Sequence, residues 1–186
     1  PWGQDPVAAA QRMHDDALSV VRHKSARYSV RHPLLIGALL AGLDPNSPTA
    51  EHLAAFGEQV GIAFQLRDDD LGVFGSPQVT GKPAGDDLRE GKRTVLLALA
   101  WGRCDEDGRQ LLGSVLANAK ATQDQIAEAA TLIEDCGARA DHEAIIATHR
   151  DAGREALERL STEGVVSTAS LDDLAALADL LTRRSS

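Results

Sequence analysis

The chain has 186 residues, enough for one domain with a substantial core, and it is rich in Ala and Leu but holds only three Phe, two Trp and one Tyr. That balance favours helices over sheet. A net charge of -9 leaves no basic stripe to exchange for counterions along a phosphate backbone, so nucleic-acid binding is excluded as a class. Cys104 and Cys136 belong to no CxxC or Cys/His cluster, and no apolar run reaches membrane-spanning length, so a reduced, cytoplasmic protein without a signal peptide is expected.

Taken in chain order, the pattern predicts helices almost throughout. Pro6 to Arg22 carries Val7, Ala10, Met13, Ala17, Leu18 and Val21 close to a 3.6-residue period. Lys24 to Gly42 follows, with Pro33 expected to kink or break it. Asp44 to Pro48 is a connection in which Ser47 reads as an N-cap and Pro48 as the first helical residue. The longest helix is expected from Thr49 to about Phe74, and its Gly57 and Gly61 share a face that would admit close approach by another helix or a ligand.

Gly75 to Arg93 contains three glycines and two prolines among its residues 75–85, with Gly91 beyond, and reads as a loop. Thr94 to Trp101 resumes an apolar helix, and Asp105 to Gly108 reads as a turn. Amphipathic helices are then predicted over Gln110 to Lys120, Gln123 to Cys136, Gly137 to Leu160 and Leu171 to Arg183. Short connections between them suggest antiparallel neighbours in a bundle.

The chemistry concentrates between Gly61 and Ala100. With Gln65 as zero and about 100° per residue, Asp68 falls near -60°, Asp69 near +40° and position 72 near -20°, whereas Asp70 lies roughly 140° away. Asp68 and Asp69 therefore share a face with Gln65, and Asp70 points elsewhere. Interior carboxylates repel one another and are costly to desolvate, so a pair flanked by Ile62, Ala63, Phe64, Leu66, Leu71, Val73 and Phe74 calls for a cation. By contrast, Asp15 and Asp16 sit in an ordinary amphipathic helix and receive no role. Lys82 and Lys92 lie beside glycines in the following loop, where backbone and ammonium groups could surround an anion. The P-loop pattern is missing. Asp86, Asp87, Arg89 and Glu90 read as solvating the loop, and Tyr28 and Phe64 as core packing.

Two blocks resemble the trans-polyprenyl diphosphate synthases. The family's second aspartate-rich motif, FQ-x-x-DD-x-x-D, is matched by Phe64-Gln65-Leu66-Arg67-Asp68-Asp69-Asp70-Leu71-Gly72. Its GK loop and D-L-x-x-GK-x-T element follow as Gly81-Lys82 and Asp87-Leu88-Arg89-Glu90-Gly91-Lys92-Arg93-Thr94. Upstream, Lys24-Ser25-Ala26-Arg27-Tyr28-Ser29-Val30 with Pro33-Leu34 and Gly37-Ala38 is similar to the family's K-T/S-A-x-Y-x-V, P-L and G-A element.

The resemblance implies an all-α fold, an isoprenoid-synthase-type antiparallel helical bundle, and a Mg²⁺-dependent head-to-tail condensation of an allylic diphosphate with isopentenyl diphosphate. It also implies a homodimer. By the same resemblance Asp68 and Asp69 would hold Mg²⁺, while Lys24, Lys82 and Lys92 would bind the substrate diphosphate. Ser25 and Gln65 would join Lys24 at the catalytic centre, placing oxygen dipoles near the developing cation.

Two departures qualify the match. Gly72 replaces the last aspartate of the second motif, and restoring it as Asp is expected to strengthen Mg²⁺ binding. The family's first aspartate-rich motif and its isopentenyl-diphosphate-binding basic residues are absent. Residues 1–186 are accordingly expected to be the C-terminal part of a single synthase domain, incomplete at its N-terminal side and inactive alone. A non-catalytic partner of a complete synthase is the alternative, and a plain helical scaffold without a ligand a more distant one.

Overall fold

A computed structural model describes residues 5–81 and 83–183, among which there is no strand. Helix α1 spans Pro6–Val20, and a π-helical segment continues it over Val21–Arg31. Then come α2 (His32–Leu40), α3 (Pro48–Phe74), α4 (Pro77–Thr80), α5 (Asp86–Glu90) and α6 (Val95–Arg103). The chain continues with α7 (Glu106–Val115), α8 (Gln123–Asp135), α9 (Ala138–Glu163) and α10 (Thr168–Thr182). The residues form two compact units, one from residues up to 19 with 68–144, the other from 20–67 with 145–183. Helices α3 and α9 contribute to both.

Local chemistry sets most boundaries. Ser47 Oγ accepts the Ala50 N–H at 3.2 Å ahead of Pro48, the cap expected for α3. Thr122 and Gln125 close a reciprocal capping box on α8. The predicted turn at Asp105 to Gly108 is instead a helix start: Asp105 accepts the Gly108 N–H at 2.9 Å, so α7 begins at Glu106 and ends at Val115, ahead of the expected Lys120. The predicted loop from Gly75 to Arg93 contains two short helices, each closed by a glycine with positive φ, Gly81 and Gly91.

Pro33 does not break its helix in the middle. It sits in the first turn of α2, where its missing N–H is no loss, and the irregularity lies upstream. The His32 N–H reaches back to the Arg27 carbonyl, an i→i-5 bond, and the wider π turn runs from Val21 to Arg31.

In the first unit α6 is the central element. Val95, Leu96, Leu97, Ala98, Ala100 and Trp101 are all buried, packed among Met13, Val73, Leu88, Leu112, Ile126 and Ile133. Cys104 and Cys136 are free thiols at the ends of α6 and α8; burial, and then the neighbouring Cys136, push Cys104 up to about 12. In the second unit Phe56, Val60, Ala156 and Ala178 form a smaller core, joined by Leu34, Leu157 and Leu174. Tyr28, expected in a core, is instead 75% exposed. No helix among the described residues is long and apolar enough to cross a membrane.

Candidate functional site

The D-L-x-x-GK-x-T stretch folds into a compact device in the first unit. Leu88, 2% exposed, anchors α5 in the core. Gly91 follows with φ +72, a left-handed turn that a side chain would strain and for which a Cβ would press on the Ala117 backbone. That turn lets Lys92 fold back so that its Nζ lies 2.5 Å from Asp87 Oδ1. Thr94 then caps α6 by accepting the Leu97 N–H at 3.2 Å.

Asp87 is the residue the sequence reading underrated. It does not solvate the loop but is buried, with its carboxylate directly against Gly72. A Cβ at position 72 would collide with that carboxylate. A substituted Asp at position 72 would require the Asp87 carboxylate to shift and would meet its like charge. The available signal was the D-L-x-x-GK-x-T element itself, whose first residue is Asp87.

Around Lys92 the charges are mutually dependent. Burial opposes its ammonium, yet the Asp87 hydrogen bond and the carboxylates of Asp87, Glu90 and Asp69 outweigh this and hold its pKa above the ordinary lysine value. Asp69, buried, thus lies within electrostatic reach of Lys92, while Asp68 is exposed. Asp70, like Asp69 and unlike Asp68, is buried. It is 1% exposed and accepts hydrogen bonds from Arg139 Nε at 3.1 Å and Nη2 at 3.4 Å. Arg139 also reaches Glu134 at 3.0 Å and lies 3.9 Å over the Phe74 ring. Asp70 is held in a buried ion pair, so its loss is not the mild change that helical phase alone implies.

The predicted residues fall into two sets. Asp68, Asp69 and Lys92 belong to the first unit, with Asp69 and Lys92 brought together around Asp87. Lys24, exposed on the π segment, Ser25, half-buried beside it, and Gln65, half-buried on α3, belong to the second. Lys82 lies outside the described residues. No cluster of three or more His, Cys, Asp or Glu forms a closed metal cage among the described residues. Paired aspartates of this kind suit Mg²⁺, which takes one or two carboxylates and completes its shell with phosphate oxygens and water. An open apolar groove of about 910 Å³ lies in the second unit between α2 and α10, lined by Pro33, Leu34, Gly37, Ala38, Leu174 and Leu177 among others; none of the predicted acids or lysines lines it.

A family model described as polyprenyl synthetase matches residues 4–133. The chain is 37% identical over 145 residues to geranylfarnesyl diphosphate synthase of Aeropyrum pernix, covering 78% of this chain and 43% of that relative. It is 41% identical over 107 residues to (2E,6E)-farnesyl diphosphate synthase of Mycobacterium tuberculosis, covering 56% and 29%. Among solved structures, a geranylgeranyl pyrophosphate synthase of Corynebacterium glutamicum, complexed with isoprenyl diphosphate and magnesium, superposes with a TM-score of 0.84 at 36% identity, covering 97% of this chain and 52% of that one. The chain thus spans less than half the length of these two curated relatives. The fold is the all-α fold of the isoprenoid synthases, and the chain belongs to the polyprenyl synthetase family.

Proposed function

We propose that this chain is the C-terminal part of one synthase domain, spanning both units, and carries the allylic-substrate side of a prenyl-elongating active site. The observation that carries the reading is Asp69, buried and within electrostatic reach of Lys92, whose ammonium pairs with Asp87, in a chain whose family model covers both motifs. Mg²⁺, when bound, neutralises diphosphate oxygens and so stabilises the leaving group.

The chain's own groups do the rest. Asp68 and Asp69 hold the ion, and Lys24, Lys82 and Lys92 hold the diphosphate. The allylic C–O bond breaks with its electron pair leaving on the diphosphate, and the double bond of isopentenyl diphosphate attacks the resulting cation. Loss of a proton restores neutrality at carbon. Ser25 and Gln65 turn oxygen dipoles toward the developing cation, and the apolar surroundings exclude water that would quench it. The remaining part of a full-length synthase supplies the isopentenyl diphosphate site, so this chain alone does not turn over. A homodimer in the cytoplasm is the expected working form. The rival idea of a non-catalytic partner leaned on Gly72 and on the missing first aspartate-rich motif, and the buried Asp87 beside that glycine accounts for the first of these.

The test is Asp68→Ala and Asp69→Ala in a full-length synthase carrying this segment. Each should lower kcat by about 100-fold or more, equivalent to at least about 2.7 kcal/mol of transition-state stabilisation. Turnover at the parental rate in either variant sinks the reading.

A further inference from the structure

The π segment needs an explanation, because π-helix is rare and usually limited to a single turn, often at functional sites. Eleven residues, Val21–Arg31, adopt it here. On that segment Arg22, Arg27 and Arg31 all turn to one carboxylate, Glu58 of α3. Arg27 donates from Nε at 3.1 Å and from Nη2 at 3.4 Å. Arg22 Nε stands 3.2 Å and Arg31 Nε 3.8 Å from the same group.

The spacing is incompatible with an α-helix. At about 3.6 residues per turn, Arg22 and Arg31, nine apart, would lie some two and a half turns from one another, on opposite sides. Nine residues come close to two full turns of the wider i→i+5 coil, which gathers all three guanidiniums on one side. The buried positions repeat the pattern, since Val21 and Ala26 are five apart. Two glycines hold the backbone contact. A Cβ on Gly57 would come within 2.8 Å of Arg31 Cα, and one on Gly61 within 2.6 Å of Ala26 Cα. Helix α3 thus presents a groove without side chains and, next to it, one carboxylate.

Lys24 and Ser25 sit inside this segment, directly before Ala26, which is fully buried on Gly61. We propose that Glu58 is a positioning residue: by collecting Arg22, Arg27 and Arg31 it holds the π register that sets the direction of Lys24 and Ser25. The proposal rests on the reading that those two residues face the allylic diphosphate. Without Glu58, three guanidiniums would face one another uncompensated, and the ordinary α register, which separates them, would be favoured. That change of register turns Lys24 and Ser25 relative to the buried Ala26.

The experiment compares Glu58→Gln, Glu58→Asp and Lys24→Ala in a full-length synthase carrying this segment, with hydrogen exchange of residues 21–31 measured on the ligand-free enzyme. Glu58→Gln should speed exchange across those residues about tenfold and raise the allylic-diphosphate KM about tenfold, while the isopentenyl-diphosphate KM stays put. Glu58→Asp should restore much of both. A general loss of structure would instead depress kcat and shift both KM values together, which overturns the positioning role. If Lys24→Ala raises the allylic KM and Glu58→Gln does not, the proposal fails while the reading of the site stands. If Lys24→Ala leaves that KM unchanged, the reading itself fails, and the positioning role goes with it even should the exchange rates change. Arg27→Gln, which removes one partner and leaves the other two, is the substitute if Glu58→Gln does not fold, and should give a smaller change of the same pattern; no change in either readout overturns the proposal.

Discussion

Helices α2 and α6 have the same length, nine residues, and both are strongly apolar, yet the first unit buries most of α6 while the second buries no residue of α2. The sequence HPLLIGALL is, if anything, the more hydrophobic of the two. Ile36 is 57% exposed and Leu40 85%. The difference teaches that hydrophobicity supplies a demand for burial and that only neighbouring elements meet it. Helix α6 is enclosed by side chains from α1, α3, α7 and α8, whereas α2 borders an open groove.

Substitutions can break or sharpen this contrast. The largest effect is expected from Leu96→Ala in α6, which leaves a cavity in a fully closed core and should cost about 2–5 kcal/mol in denaturant unfolding. Ile36→Ala in α2 should stay within about 0.5 kcal/mol in the same chain. Equal losses at the two sites would mean that α2 is covered in solution.

A second contrast lies within the aspartate triplet. Asp70→Ala strands Arg139 and should cost about 3 kcal/mol of stability, the low end for a broken buried pair, because Arg139 keeps 26% exposure and a second partner in Glu134. Asp68→Ala, at an exposed position, should act on turnover instead. A variant of Asp70 with parental unfolding midpoint would contradict the burial argument.

The smallest expected effect is a pH dependence in the second unit. His149, with Nδ1 2.6 Å from Gln59 Oε1, has its pKa lowered from 6.5 by burial and then by the Arg22 charge. The unfolded chain therefore binds this proton more readily than the folded one. Stability is complete above 6.5 and declines as pH falls through 6.5 toward the depressed folded value. His149→Gln should flatten that part of the unfolding profile, and an unchanged slope between pH 6.5 and 5 would remove His149 as its source.

Much of this could be read from the chain. The bounds of α3 were legible because Ser47-Pro48 and Gly75 are local signals, and the close approach at Gly57 and Gly61 followed from two missing side chains on one face. What escaped were the partners of individual side chains brought together from distant parts of the sequence. Asp87 looked like one more loop acid until the fold set it against Gly72, and Tyr28 looked like core but stands exposed. Pro33 announced an irregularity, but its position did not reveal that the preceding eleven residues had changed register.

Sequence alone determined the helical class and the family, since these depend on periodicity and on motifs whose spacing is local. Only the tertiary structure decided which carboxylate keeps Lys92, which keeps Arg139, and which collects the three arginines of the π segment. Such choices arise because a charge leaving water takes whatever opposite charge the packing brings within reach, and packing is a property of the folded chain.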